Sequence, residues 1–139
     1  ENTVVERNGN TTSLIGGVSI GIVRSGSSFA NNTVAANQAR STISAGVDCG
    51  ASVNLLNTLL AANTGAPDQA AATCATTTSV SLATLVEAMF DAGRAYHLSD
   101  ASTCCLNTGT ATGAPADDYD GDARPCRGGY DIGADELCL

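Results

Sequence analysis

Apolar residues in this chain come in short bursts, each closed off by Asn, Gly, Ser or Thr. Leu14-Ile15, Val18 to Val23 and Val53 to Leu60 are too short for helices and are bounded by turn formers, so they predict strands. In Val18-Ser19-Ile20-Gly21-Ile22 apolar residues alternate with small ones, the pattern of a strand with one face inward. Three segments resemble one another: Asn2-Thr3-Val4-Val5-Glu6-Arg7-Asn8, Asn32-Thr33-Val34-Ala35-Ala36-Asn37 and Asn57-Thr58-Leu59-Leu60-Ala61-Ala62-Asn63. Each runs from Asn-Thr through an apolar stretch to a closing Asn. Self-similarity at such intervals predicts a solenoid, in which each repeat buries its apolar side only by stacking on the next. Asn suits the corners, because it tolerates left-handed backbone angles, and stacked Asn side chains can form ladders along the axis.

The fold class predicted is therefore all-β, a parallel β-helix of a few coils over residues 1–65. An irregular segment and a capping region follow over 66–139, within one structural domain. The stretch from Ala66 to Ser81 is rich in Ala and Thr and reads as a loop leaving the coils. Leu82, Leu85, Val86, Met89 and Phe90 then recur at helical spacing, with Ser79 or Ser81 as cap, which allows one short helix or, equally, two extended pieces. Met89 and Phe90 are expected to cover the core rather than line a ligand site.

Composition narrows the picture. The 139 residues are 43% hydrophobic but only 4% aromatic, with no Trp, so the core must be built by close stacking of Ala, Val, Leu and Ile. A net charge of −8 with no Lys argues against nucleic-acid partners and anionic lipid surfaces. No apolar run is long enough to insert in a membrane. Six Cys, with no CxxC and a single His, His97, favour disulfides over zinc and an oxidising, extracellular location. Cys49 and Cys74 are separated by the same interval as Asn32 and Asn57. If that interval is one rung, the two sulfurs stack within disulfide range.

The last forty residues carry the sharpest signal. Asp118-Tyr119-Asp120-Gly121-Asp122-Ala123-Arg124-Pro125 leads through Gly128-Gly129 to Asp131-Ile132-Gly133-Ala134-Asp135-Glu136. This D-x-D-G-x-x-R … D-I-G-A-x-E pattern resembles the closing segment of bacterial secreted proteins of the choice-of-anchor Q type. The resemblance implies the pectin-lyase-like, right-handed parallel β-helix fold. Upstream, Ala95-Tyr96-His97-Leu98-Ser99 is similar to that family's D-Y-H-L lead-in, and Thr103-Cys104-Cys105-Leu106-Asn107-Thr108-Gly109 to its S-P-x-I-D-x-G stretch. Cys104 stands where Pro is usual, Asn107 where Asp is usual, and Cys126 and Cys138 are additions. These departures suggest a stapled tail, Cys104 to Cys126 with Cys105 to Cys138 being one of several pairings. A bridge between the neighbours Cys104 and Cys105 is disfavoured on geometry.

Such a segment makes physical sense as a cap over the end of a solenoid, pinned by Arg124 pairing with Glu136 or Asp131. Its acids invite a second reading. Asp118, Asp120 and Asp122 alternate as the first three carboxylates of a Ca²⁺ loop do, although the EF-hand pattern fails at Ala123 and Gly129. A non-EF Ca²⁺ site completed by Asp131 or Asp135 stands against a salt-bridged turn around Arg124. No other cofactor is indicated. A hydrolase needs two carboxylates across a groove, whereas these acids crowd into one motif, and His97 reads as structural. The chain is thus expected to be no enzyme but a non-catalytic structural or surface-display module. The alternatives are a carbohydrate-binding module, for which five aromatics are few, or a remnant of a polysaccharide-degrading β-helix enzyme. Because it begins in mid-repeat, upstream coils or a second copy are expected to stack on its first coil, the latter as an end-to-end homo-oligomer.

Overall fold

The computed structural model describes residues 1–24, 27–67 and 69–138. Nine short strands occupy it: β1 (Val4–Glu6), β2 (Val18–Ile20), β3 (Phe29–Ala30), β4 (Thr33–Ala35), β5 (Val47–Cys49), β6 (Val53–Leu56), β7 (Leu59–Ala61), β8 (Cys74–Thr77) and β9 (Val80–Leu82). Every ladder between them is parallel. They form three sheets, ordered β1-β4-β7-β9, β2-β5 and β3-β6-β8, so each pass of the chain lays its strands beside those of the pass before.

The three Asn-Thr segments do meet, as β1, β4 and β7, but in a register one residue away from the alignment of their Asn-Thr pairs. Val4 lies opposite Thr33, and Thr33 opposite Leu59. The leading corner is therefore Asn2, Asn31 and Asn57, with Thr78 after them, and all four have left-handed backbone, φ 54°, 50°, 44° and 49°. The pair Asn31-Asn32 obscures this in the sequence, because backbone angle rather than residue identity sets the corner. A second left-handed corner follows each strand, at Arg7, Ala36 and Ala62 (φ 52°, 55° and 54°). Left-handed backbone costs an L-residue with a Cβ about 1–2 kcal/mol, so packing on both sides must hold these positions. The closing Asn residues stack. Asn8 Nδ2 donates to Asn37 Oδ1 at 3.0 Å, Asn37 Nδ2 to Asn63 Oδ1 at 2.9 Å, and Asn63 Nδ2 to Gln69 Oε1 at 2.7 Å.

Between the sheets, Val34, Val47, Val53, Leu55 and Leu60 make the main core, with Val5, Val18, Ile20 and Phe29 packed against it. All three residues of β4 and of β7 are buried, which a sheet covered on one face could not achieve. The outer face is sealed by the C-terminal half. Leu59 packs with Ala88, Leu98, Cys105 and Ile132, while Ala35 and Ala61 pack with Tyr96.

One expectation needs correction, and one choice left open by the pattern is decided. The stretch from Ala66 to Ser81 is not simply a loop: its described residues contribute β8 and the start of β9, so strand pairing continues to Leu82 rather than ending at residue 65. Small Ala and Thr side chains are read as loop formers, yet they fit an exposed edge strand once a neighbour supplies the ladder. The helical spacing from Leu82 to Phe90 yields only one 3₁₀ turn, Val86–Ala88, whose preceding residue is Leu85 with no side-chain cap. Ser79 instead bridges the Leu55 carbonyl and the Thr58 amide.

Candidate functional site

Residues 107–137 run lengthwise over the corner row rather than across one open end. Asn2 Nδ2 donates to the Asp117 carbonyl, Asn31 Nδ2 to the Asp131 carbonyl at 3.2 Å, and Asn57 Nδ2 to the Thr110 carbonyl at 2.8 Å. Gly133 N donates to the Asn57 carbonyl at 2.9 Å and Ala134 N to Thr33 Oγ1 at 3.0 Å, tying the tail to two passes at once. Gly133 has φ +121°, and a Cβ there would stand 3.0 Å from Thr33 Oγ1, so this crossing needs glycine.

The acids of the closing motif are engaged with backbone. Asp118 Oδ1 accepts the amides of Asp120, Gly121 and Asp122 at 3.0, 2.9 and 2.8 Å, and its Oδ2 accepts that of Glu136 at 2.9 Å. Burial pushes the Asp118 carboxyl up, but the Glu136 and Asp122 amides and the Asp120 contacts outweigh it and hold the group below its ordinary value. Asp131 accepts the Asn107 and Leu137 amides at 2.7 and 2.9 Å. Glu136 takes the Cys126 and Asp131 amides, both at 3.0 Å, and Arg124 Nη1 at 2.8 Å. Arg124 also donates to the Gly133 and Ala134 carbonyls at 3.0 and 2.7 Å. Its side chain is 0% exposed and that of Glu136 1%, so of the two partners considered for Arg124, Glu136 is the one paired.

The five Asp of the Ca²⁺ reading are not brought to one point. Asp118, Asp120 and Asp122 have oxygens within 4.8 Å of one another, Asp135 joins Asp120 and His97, and Asp131 belongs to neither group. His97 is the residue whose role the sequence pattern does not reveal. Its Nδ1 lies 2.9 Å from Asp135 Oδ1 and 3.8 Å from Asp120 Oδ2, and the Tyr119 hydroxyl is hydrogen-bonded to Nε2. Asp135 Oδ2 accepts the Leu98 amide at 2.7 Å, and Arg94 Nη2 reaches Asp120 Oδ2 at 3.1 Å. Burial, then the charges of Asp120 and Asp135, push the Tyr119 phenol up to about 12, so it stays neutral. The sequence holds only a faint hint of this site, the Tyr-His pair of the lead-in, because Asp135 is far along the chain.

The disulfides differ from the expected tail. Cys126 joins Cys138, and Cys104 joins its neighbour Cys105, in place of Cys104–Cys126 and Cys105–Cys138. The cause is visible: Glu136 Oε1 holds the Cys126 amide and so brings Cys126 alongside the last residues, while Cys105 is buried with Leu59 and Ile132. Cys49 and Cys74 are bonded, with Cα atoms 5.5 Å apart. They are not rung partners, since Cys49 lies opposite Ile20 and Cys74 opposite Val53. The bridge ties β5 to β8.

The chain matches no protein-family model, no curated protein and no solved structure. Three disulfides fit an oxidising, extracellular environment. Among the described residues, no helix is long and apolar enough to cross a membrane.

Proposed function

We propose that this chain is a non-catalytic, secreted structural module with a right-handed parallel β-helix fold of pectin-lyase-like type. The likeness of its closing motif to the choice-of-anchor Q proteins supports that reading. The observation that carries it is the use made of the motif. Asp118, Asp131 and Glu136 accept backbone amides, and Arg124 is buried on Glu136 and carbonyls, so these groups serve to hold a tail across successive passes. Rigid extension and display are the work such a stack suits.

The module assembles end to end with a second copy. β1, β2 and β3 are edge strands of their sheets, Val5, Val18, Ile20 and Phe29 are only half-buried, and Ile22 is 88% exposed. An open strand edge beside apolar surface favours a further parallel strand. Sedimentation velocity over a range of concentrations tests this. Association that grows with concentration and is abolished by Ile22→Lys with Val5→Lys is expected, and a monomer at the highest concentration overturns it. A glycan array run with and without Ca²⁺ tests the structural reading itself. No sugar should be retained, and reproducible binding lost on chelation would replace display by carbohydrate recognition.

A further inference from the structure

We propose that His97, Asp120 and Asp135 form a binding site for one divalent transition-metal ion of the zinc class, which ties the closing segment to the lead-in before the Cys pair. This goes beyond the display reading and does not depend on it.

His97 makes a contact that hydrogen bonding does not explain. His97 Nδ1 is buried and, among the described residues, has no hydrogen-bond partner, although Asp135 Oδ1 is only 2.9 Å away. The carboxylate therefore stands off the line that an N–H would follow. Two ligands of one metal ion behave in that way. Each lies about 2.0–2.2 Å from the ion, so a tetrahedral pair is separated by roughly 3.4 Å with the second atom well off the axis of the first, and the 2.9 and 3.8 Å contacts of Nδ1 lie either side of that spacing. Asp120 Oδ2, 3.8 Å from the same nitrogen, supplies the third ligand, and all three atoms lie within 4.8 Å of one another.

The surroundings prepare the site. Tyr119 is hydrogen-bonded to Nε2 and fixes the ring, leaving Nδ1 for the ion, as a supporting partner commonly does for a ligating His. Leu98 N holds the other oxygen of Asp135. Two ligands are thus set before an ion arrives. The third is partly exposed and answers to Arg94, the cation an incoming metal must displace from Asp120 or share it with. One imidazole nitrogen with two carboxylates suits a borderline ion such as Zn²⁺ or Co²⁺, with an open position for water, whereas Ca²⁺ and Mg²⁺ prefer oxygen throughout.

The test is calorimetric titration of the disulfide-intact chain with Zn²⁺, and with Co²⁺ followed by its visible absorption. One equivalent should bind. Tyr119→Phe should weaken binding by about ten- to a hundredfold, and His97→Gln and Asp120→Asn by at least as much. Arg94→Gln should tighten it by removing the competing cation. Asp120→Asn and Arg94→Gln alter exposed positions, so they remain informative if His97→Gln fails to fold. Failure of the wild-type chain to bind either ion overturns the proposal, as does equal binding by wild type and Asp120→Asn.

Discussion

Asn37 and Asn63, on successive passes of the chain, share a side-chain hydrogen bond of 2.9 Å where water does not reach. The same Asn63 Oδ1 accepts the Asn37 backbone amide at 3.1 Å, and Asn63 Nδ2 donates to the Val34 carbonyl at 2.8 Å. One side chain thereby satisfies three polar groups of the preceding pass in the interior of the stack.

Asn63→Ala should then cost about 1–3 kcal/mol, the penalty of leaving buried amide groups without partners. Asn8→Ala, at the exposed end of the same ladder, should cost less than about 1 kcal/mol. Urea unfolding of the two variants, with unchanged slopes, gives the comparison. Equal losses would show that the ladder is a surface ornament.

Arg124 and Glu136 make a stronger case. Removing one partner of a fully buried pair leaves a charge without compensation, so Arg124→Met should destabilise by about 3–5 kcal/mol. Combined with Glu136→Gln, the loss should be clearly smaller than the sum of the two single losses, as coupled residues require. Additive losses in a double-mutant cycle would deny the coupling.

Acid should act through Asp118. Its folded carboxyl titrates below the ordinary value of 3.8, so its stabilising contribution is complete above that value and disappears as pH falls through the folded one. Asp118→Asn should be less stable than wild type at pH 7, and the difference should shrink steadily below pH 3.8. Denaturant midpoints measured at several acidic pH values follow the gap; a constant gap would contradict the assignment.

Peptide mapping without reduction should recover Cys49 with Cys74 and Cys126 with Cys138, and a single peptide containing Cys104 and Cys105 lighter by two hydrogens. Replacing both Cys49 and Cys74 by Ala should cost about 3–4 kcal/mol by the loop-closure argument. A peptide joining Cys104 to Cys126 would refute the map.

Much of the architecture is legible in the order of residues. Short apolar bursts between Asn residues point to parallel strands in successive passes, because burial and turn preference are local properties. The unbroken run Leu59-Leu60-Ala61-Ala62 holds a further clue: a strand with no polar alternation has both faces covered. The Arg124–Glu136 pairing is legible too, since it lies within one motif. The one-residue shift in register is not legible from residue types, because Asn31 and Asn32 look alike and only the ladder reveals which of them turns the corner.

Pattern alone thus determined that this chain stacks β-strands, carries bridged cysteines and holds an acidic motif around a paired arginine. Folding in three dimensions decided the rest: which Cys meet, why Ala and Thr can hold an edge strand, and that His97 faces Asp120 and Asp135. Those outcomes depend on surfaces that meet only in the folded chain, and no local preference of a residue encodes a neighbour so far along the sequence.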